Sequence, residues 1–214
     1  MERGTPNRAR AGAGPAHVYG VLLAAGRSSR MGRSKPLLAL DGETLVERAV
    51  RVLLEGGCAG VVAVVRVEDD ATARLARAAG ARVVVNDDPQ AQQVDSLRLA
   101  LRELPDDAAA AAVLPVDVPF VQPATVACLV TAFRAGTALV VRPTCRGEPG
   151  HPTLFARALF ADLAARELPH GARTVIEAHA ADTLDIEVED PGVTQDLDTP
   201  EDLARYGDVR WTTS

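Results

Sequence analysis

The chain has 214 residues, a formal net charge of −6 and 47% hydrophobic residues, which suits one domain with a substantial core. No basic stripe indicates nucleic-acid binding, and no apolar run approaches the ~20 residues of a membrane span. The cysteines are Cys58, Cys128 and Cys145. Because they form no C-x-x-C pair, they favour a reducing, cytoplasmic location and no zinc site. Residues 1–16 are predicted to be a disordered extension.

Strand-like and helix-like segments alternate along the rest of the chain. Short apolar runs bounded by glycine predict strands, and amphipathic runs ended by glycine or proline predict helices. In chain order the pattern predicts a strand at 17–25, a helix at 42–57, a strand at 60–65, a helix at 68–80, a strand at 81–86, a helix at 96–104, a strand at 108–117, a helix at 123–136, a strand at 137–143, helices at 156–166 and 172–180, a strand at 183–189 and a helix at 199–206.

This alternation predicts the fold class. Strands separated by helices form βαβ units, so we expect an α/β domain with a mostly parallel sheet and helices on both faces. No internal repeat or linker divides it, and the domain is predicted to span 17–207, with 208–214 as a C-terminal tail. Ligands of such sheets bind beyond the carboxyl ends of the strands. The residues that follow each strand are therefore the candidates for function.

The segment after the first strand is dense in hydrogen-bond donors. It contains Gly26 and the cationic residues Arg27, Arg30, Arg33 and Lys35, of which Lys35 is the only lysine in the chain. Backbone N–H groups of a glycine-containing turn can bind phosphate oxygens, and the side chains add positive charge. The segment matches neither the Walker A pattern nor G-x-G-x-x-G. It indicates an anion-binding loop of another kind.

Three aspartates and one histidine complete the candidates. Asp117 follows a buried strand, where a carboxylate can bind Mg²⁺ or serve as a turn residue. Asp196 and Asp198 precede the last predicted helix, where Asp198 or Thr199 could simply cap that helix. His151 stands before a proline, so it could contact a substrate, transfer a proton or only shape a turn.

Residues 23–35, LAAGRSSRMGRSK, resemble the signature L-A-[AG]-G-x-S-x-R-M-G-x-x-K of the nucleotidyltransferases that attach a nucleotide to the molybdenum cofactor. The similarity continues through the segments PVDVP, GHPTLFARALF, GARTVIEAHA and DPGVTQDLDTPEDL, and covers about residues 18–206. It implies a single three-layer Rossmann-like nucleotidyltransferase domain. It also implies Mg²⁺-dependent transfer of a nucleotide from an NTP to a phosphorylated acceptor, with release of pyrophosphate.

The resemblance assigns roles to particular residues. Lys35 would stabilise charge on the α-phosphate, and Asp117 would bind Mg²⁺; these two are the implied catalytic residues. Asp196 or Asp198 would be the second metal ligand, with Asp196 preferred because Asp198 also suits capping. The implied nucleotide-binding residues are Leu23, Ala24, Ala25, Gly26, Arg27, Lys35, Asn86 and Ser96. Ala25 is typical of the cytidylyl branch, because its methyl group takes space that a purine needs.

One segment, AQQVDSL at 91–97, departs from the family pattern. Gln92 stands where a glycine is expected, and Asp95 adds a carboxylate that could repel phosphate. The favoured hypothesis is a cytidylyltransferase that uses CTP and molybdopterin or a similar acceptor, with a molybdoenzyme as a further partner. The alternatives are a non-catalytic NTP-binding accessory protein or chaperone for a molybdoenzyme, and a transferase that uses another base or a sugar or isoprenoid phosphate.

Overall fold

The computed structural model describes residues 16–26, 34–199 and 202, and the backbone of 209–211. The predicted N-terminal extension up to residue 15, the arginines at 27, 30 and 33, and most of the helix predicted at 199–206 lie outside the described residues. Among the helices that are described, none is long and apolar enough to cross a membrane.

The regular elements are numbered here in chain order. The strands are β1 (His17–Leu23), β2 (Leu38–Leu40), β3 (Glu43–Thr44), β4 (Val61–Arg66), β5 (Arg82–Asn86), β6 (Ala108–Pro115), β7 (Val140–Cys145), β8 (Glu148–Pro149), β9 (Thr153–Ala156), β10 (Thr183–Glu187) and β11 (Val209–Trp211). The helices are α1 (Leu45–Glu55), α2 (Asp70–Ala78), α3 (Gln93–Arg102), α4 (Pro123–Ala135), α5 (Phe160–Leu163) and α6 (Ala172–Ala178). Short 3₁₀ turns lie at Lys35–Leu37, Arg157–Leu159, Ala180–Asp182 and Pro191–Thr194.

The main sheet is mostly parallel and covered on both faces. Its order is β10-β7-β9-β6-β1-β4-β5, with β8 attached to β7. Strand β1 is parallel to both β4 and β6, whereas β9 is antiparallel to both β6 and β7. Alternate residues of β1 enter two separate cores: Val18 and Leu22 pack with α1, α2 and α4, and Val21 and Leu23 pack with α3, α5 and α6. The predicted three-layer architecture is confirmed.

Two parts of the sheet structure were not predicted. Residues 156–166 were predicted as one helix, but β9 ends at Ala156 and only a 3₁₀ turn and the four-residue α5 follow it. Strand β9 is buried along its whole length, so it lacks the alternating pattern that marks a half-exposed strand. The segment β2 pairs with β3 and with β11 in a second, three-stranded sheet, so Val209–Trp211 of the predicted tail has strand backbone pairing.

The buried carboxylate of Asp190 connects α4 to the 3₁₀ turn at Pro191–Thr194. This turn leads to residues 196–198, which contain Asp196 and Asp198 and are called the acidic segment here. Asp190 Oδ2 accepts hydrogen bonds from the Gln122 backbone N–H at 2.9 Å and the Thr125 hydroxyl at 2.6 Å. Its Oδ1 accepts one from the Gly192 N–H at 3.0 Å. A side chain at Gly192 would meet the Phe120 carbonyl oxygen at 2.2 Å, so the turn packs directly on the chain before α4. Asp190 therefore fixes where the acidic segment begins.

We predict that Asp190→Ala lowers the free energy of unfolding by about 3 kcal/mol, because three donors, two of them buried, lose their carboxylate acceptor. Denaturant unfolding measures the change. The matched control is Glu189→Ala, an exposed neighbour, for which we expect a change below about 0.5 kcal/mol. Equal effects of the two substitutions would contradict the role of Asp190 as the connection.

Candidate active site

The neighbouring strands β1 and β6 deliver their following residues to one edge of the sheet. Leu23 pairs with Pro115 in parallel register, and the Val116 N–H donates to the Leu23 carbonyl at 3.1 Å. The glycine-containing loop after β1 and Asp117 after β6 therefore begin side by side. This juxtaposition follows from the parallel pairing of β1 with β6; the sequence predicted only that the residues after the strands would lie at the functional edge of the sheet.

Lys35 lies between two carboxylates at this edge. Its Nζ is 2.5 Å from Asp198 Oδ1 and 3.7 Å from Asp117 Oδ2. The lysine side chain is 11% exposed, against 34% for Asp117 and 46% for Asp198. The Leu197 N–H donates to the Asp117 carbonyl at 2.8 Å, which holds the acidic segment against the end of β6. The structure thus brings Lys35 together with Asp198, which lies 163 positions away in the sequence.

Negative charge exceeds positive charge in this cluster. Burial raises the pKa of Asp117 above its ordinary value, and the charge of Asp198 adds to this effect while Lys35 opposes it. Desolvation and the charges of Asp117 and Asp198 raise the pKa of Asp196 to about 6. Such shifts are expected where several carboxylates share a site with too few cations. The cluster would be stabilised by a further cation.

Asp202, and not Asp198, binds the backbone at residues 198 and 199. Asp202 Oδ2 accepts hydrogen bonds from the N–H groups of Asp198 at 2.9 Å and Thr199 at 2.8 Å, and the Asp202 N–H donates to the Thr199 hydroxyl at 3.2 Å. The Asp198 carboxylate makes none of these backbone contacts and is paired with Lys35. The preference for Asp196 rested on a capping role of Asp198, so that reason no longer holds.

The donor set fits a divalent cation that arrives with phosphate. Carboxylate oxygens suit Mg²⁺ and Mn²⁺, and Mg²⁺ is commonly held by one or two carboxylates together with substrate phosphates. Over the described ranges, no three His, Cys, Asp or Glu side chains form a complete metal site. Asp117 and Asp198, with Asp196 nearby, could hold such a cation if phosphate oxygens supplied the remaining ligands.

A cavity of about 340 Å³ opens beside Lys35 and Asp117. We call it the smaller cavity; of the predicted nucleotide-binding residues, those that line it are Leu23, Ala25, Gly26, Lys35 and Ser96. Ala24 does not line it, because its side chain is 2% exposed and lies in the core. Asn86 is buried behind the wall, where its Nδ2 donates to the Ser96 hydroxyl at 3.0 Å. Arg27 lies outside the described residues.

The carboxylate of Asp95 has a structural role. Its Oδ2 accepts from the Gln92 N–H at 2.9 Å and its Oδ1 from Arg98 Nη1 at 2.7 Å, which caps the start of α3. Asp95 lines neither of the cavities described here, so the predicted repulsion of phosphate by this residue is not what the structure shows. Gln92 and Gln93, in contrast, line the smaller cavity.

Asp69 was not predicted to support the site. Its Oδ2 accepts a hydrogen bond from the hydroxyl of Ser34, the residue before Lys35, and its Oδ1 accepts from the Thr72 N–H at 3.1 Å. One carboxylate thus caps α2 and anchors the segment that carries the lysine. The start of a helix at an aspartate is a recognisable capping signal, but the contact with Ser34 is not visible in the sequence.

A second cavity, of about 1110 Å³, adjoins the first and shares its lining residues Leu23, Gln92, Gln93 and Pro115. We call it the larger cavity. His151 lines this cavity rather than the smaller one that contains Lys35. Burial lowers the pKa of His151, against a smaller opposite effect of the Val113 backbone carbonyl, so the imidazole is neutral near pH 7.

These features fit an α/β protein with a candidate phosphate-binding site at the carboxyl edge of its sheet. Comparison with known proteins identifies the family: residues 20–183 match the MobA-like NTP transferase domain. The chain belongs to this family and is a nucleotidyltransferase of the MobA-like type. The resemblance to the molybdenum cofactor nucleotidyltransferases is confirmed at the level of the family.

Individual relatives carry different names. The chain is 39% identical over 137 residues to a probable molybdenum cofactor guanylyltransferase of Opitutus terrae, covering 62% of this chain and 63% of that protein. It is 33% identical over 202 residues to a nicotine blue oxidoreductase of Paenarthrobacter nicotinovorans, covering 88% and 95%. Among solved structures, Rv0371C of Mycobacterium tuberculosis H37Rv in complex with manganese has a TM-score of 0.73 and 28% identity, covering 89% and 97%.

We predict that Lys35→Ala binds Mn²⁺ more tightly than the wild type in the absence of nucleotide. The ammonium lies between the two carboxylates that a cation would share, so its removal should raise the affinity by about tenfold. Electron paramagnetic resonance, which detects free Mn²⁺, measures the dissociation constant of Mn²⁺ for each variant. The control is Arg82→Ala, which removes a cation on edge strand β5 that is paired with Glu103. Unchanged or weaker Mn²⁺ binding by Lys35→Ala would refute this arrangement.

Proposed function

We propose that this nucleotidyltransferase transfers CMP from CTP to a phosphorylated small-molecule acceptor of the molybdopterin type and releases pyrophosphate. The observation that carries the proposal is the position of Lys35 at the smaller cavity, between Asp117 and Asp198 and beside the loop that follows β1. A glycine-containing loop, one nearly buried ammonium and paired carboxylates are the parts that nucleotidyl transfer needs.

In the proposed reaction an oxygen of the acceptor phosphate attacks the α-phosphorus of the nucleotide. A new P–O bond forms, and the bond to the bridging oxygen of the β-phosphate breaks, so pyrophosphate leaves with the bonding electrons. Lys35 would exchange Asp198 for an α-phosphate oxygen and oppose the charge that develops there. Backbone N–H groups near Gly26 would orient the phosphates.

A divalent cation, Mg²⁺ or Mn²⁺, would be held by Asp117 with Asp198 or Asp196. When bound, it would neutralise charge on the phosphates and the leaving pyrophosphate. Manganese occurs in the complex of the Rv0371C relative, and the excess of carboxylates around Lys35 supports a cation in this chain as well.

Ala25 supports CTP as the nucleotide. It lines the smaller cavity, so its methyl group takes space that a larger base would use. Transfer of GMP from GTP is the second candidate, because the Opitutus relative has the name of a guanylyltransferase. Oxidoreductase activity is not proposed, since the segment after β1 lacks the G-x-G-x-x-G pattern of dinucleotide binding.

The direct test is nucleotidyl transfer to molybdopterin with CTP or GTP and either metal ion, followed by separation of the dinucleotide product. We predict that Lys35→Ala lowers kcat by about 10²–10³-fold, while the dissociation constant of the NTP changes less than about tenfold. Such a split is expected for an interaction that strengthens in the transition state. Equal losses in both constants would reject this role of Lys35, and NTP binding without turnover by the wild type would favour an accessory protein.

We predict that Ala25→Gly shifts preference towards GTP, raising the ratio of kcat/KM for GTP to that for CTP by about tenfold. The matched control is Ala24→Gly, whose methyl group lies in the core and faces no nucleotide. That variant should lose some stability without a change in the ratio. An unchanged ratio in Ala25→Gly would remove the support for CTP that Ala25 provides.

A further inference from the structure

A third strand of the main sheet sends a residue towards the edge where Lys35 lies. Strand β4 is parallel to β1, and Leu23 at the end of β1 pairs with Val64. Because β4 ends two residues later at Arg66, the chain that follows it reaches the same edge of the sheet. The third residue after β4 is Asp69, which has no part in the nucleotide chemistry described above.

The position of Asp69 is fixed by its backbone and by one of its carboxylate oxygens. Its N–H donates to the Arg66 carbonyl at 3.1 Å, and its own carbonyl accepts from the Ala73 N–H at 3.0 Å. Asp69 Oδ1 accepts from the Thr72 N–H at 3.1 Å, which makes this residue the N-cap of α2. The carboxylate is therefore tied both to the end of β4 and to a helix that packs in the core beside the main sheet.

The second carboxylate oxygen of Asp69 binds the segment that carries the lysine. Asp69 Oδ2 accepts a hydrogen bond from the hydroxyl of Ser34, across 35 positions of the sequence. A hydrogen bond to a carboxylate is stronger than one between neutral groups. Serine could also cap α2, so the contact with Ser34 is what the second oxygen of an aspartate adds at this position.

Ser34 in turn fixes the backbone from which the Lys35 side chain extends. The Leu37 N–H donates to the Ser34 carbonyl at 3.2 Å, which closes the 3₁₀ turn that begins at Lys35. Pro36 in this turn is buried, so the carboxyl side of the turn is anchored by packing. On its amino side, the contact of Ser34 with Asp69 ties the turn to α2. Loss of this contact would let the turn rotate and displace the lysine.

The position of the Lys35 ammonium leaves little room for such a displacement. It is nearly buried and lies 2.5 Å from Asp198 and 3.7 Å from Asp117. A misplacement of about 1 Å at a group that acts on the reacting atoms can lower the rate by about 10²-fold. In the described part of the structure, neither Ser34 nor Asp69 lines the smaller or the larger cavity. These two residues therefore act through the lysine rather than by contact with the substrate.

We infer that Asp69 is a positioning residue for nucleotidyl transfer, an inference that rests on the proposed function. Through Ser34, Asp69 holds the turn so that the Lys35 ammonium meets the nucleotide at its α-phosphate. Charge on the α-phosphate oxygens develops in the transition state, so the position of Lys35 affects the rate of transfer more than the affinity for the NTP.

Paired substitutions separate the contact with Ser34 from the cap of α2. Ser34→Ala and Asp69→Ser each remove the hydrogen bond, and serine at position 69 still caps the helix. We expect each to lower kcat for transfer from CTP to molybdopterin by about tenfold, while the dissociation constant of CTP stays within about twofold of the wild type. Ser34→Thr keeps the hydroxyl on an extended residue and should retain the wild-type kcat. The matched control Asp70→Ser removes the same charge from the next, exposed residue and should leave kcat unchanged.

The double variant Ser34→Ala/Asp69→Ser tests whether the two residues act as a unit. We expect it to lose no more activity than the more impaired single variant, because the contact is already absent in each. Additive losses, an unchanged kcat in both single variants, or equal losses of kcat and of CTP affinity would each overturn the inference.

A second measurement follows the lysine without any assay of activity. Because Lys35 is the only lysine in the chain, lysine labelled with ¹³C at Cε gives the NMR signal of this one residue in the full-length protein. We expect its chemical shift to change in Ser34→Ala and Asp69→Ser and to stay at the wild-type value in Asp70→Ser. An unmoved signal in both of the former variants would contradict the positioning role. Absence of transfer by the wild type, with the signal moved as expected, would instead count against the proposed function, so the two failures are distinguishable.

Discussion

The arrangement of this site depends on the ion pairs of one nearly buried ammonium. Removing Lys35 from water is unfavourable unless its charge is matched by close partners, and Asp198 at 2.5 Å and Asp117 at 3.7 Å supply them. The partners come from distant parts of the chain, so the ion pairs form only when the loop after β1, the end of β6 and the acidic segment are all in place. The cluster is therefore a product of the complete fold.

The surrounding structure holds the ends of these segments rather than the charged groups themselves. Asp69 anchors Ser34 on one side of the lysine, and strand β2 fixes the chain on the other side through the buried Leu38 and Leu40. The acidic segment is fixed where it begins by Asp190 and where it ends by Asp202. Because these anchors do not involve the Lys35 ammonium, the exchange of a carboxylate for a phosphate that we propose for Lys35 would leave them in place.

Much of this could be predicted from the sequence, for a physical reason. Alternation of buried strands with amphipathic helices predicts a mostly parallel sheet whose following loops lie at one edge. That β1 and β6 are neighbours, and that Lys35 meets Asp117 there, depends on the complete fold. Strand β9 and the small sheet were missed because they are short and pair over long distances. The capping role of Asp95 was within reach, since a side chain three residues into a helix commonly returns to its start. The pairing of Asp198 with Lys35 could not be predicted, because it depends on the position of the Asp202 side chain, which binds the backbone N–H groups of residues 198 and 199.

The positions of the two cavities follow from the topology of the main sheet. The ends of the parallel strands β1 and β6 border the smaller cavity, together with Lys35 and Asp117. The larger cavity begins where the antiparallel β9 and the turn before it interrupt the parallel order. There the lining comes from β7, β8, β9 and the segment around His151, together with α3 and α6. If the larger cavity takes the acceptor of the proposed reaction, substitutions in its lining would change acceptor preference while Lys35, Asp117 and Asp198 stay in place.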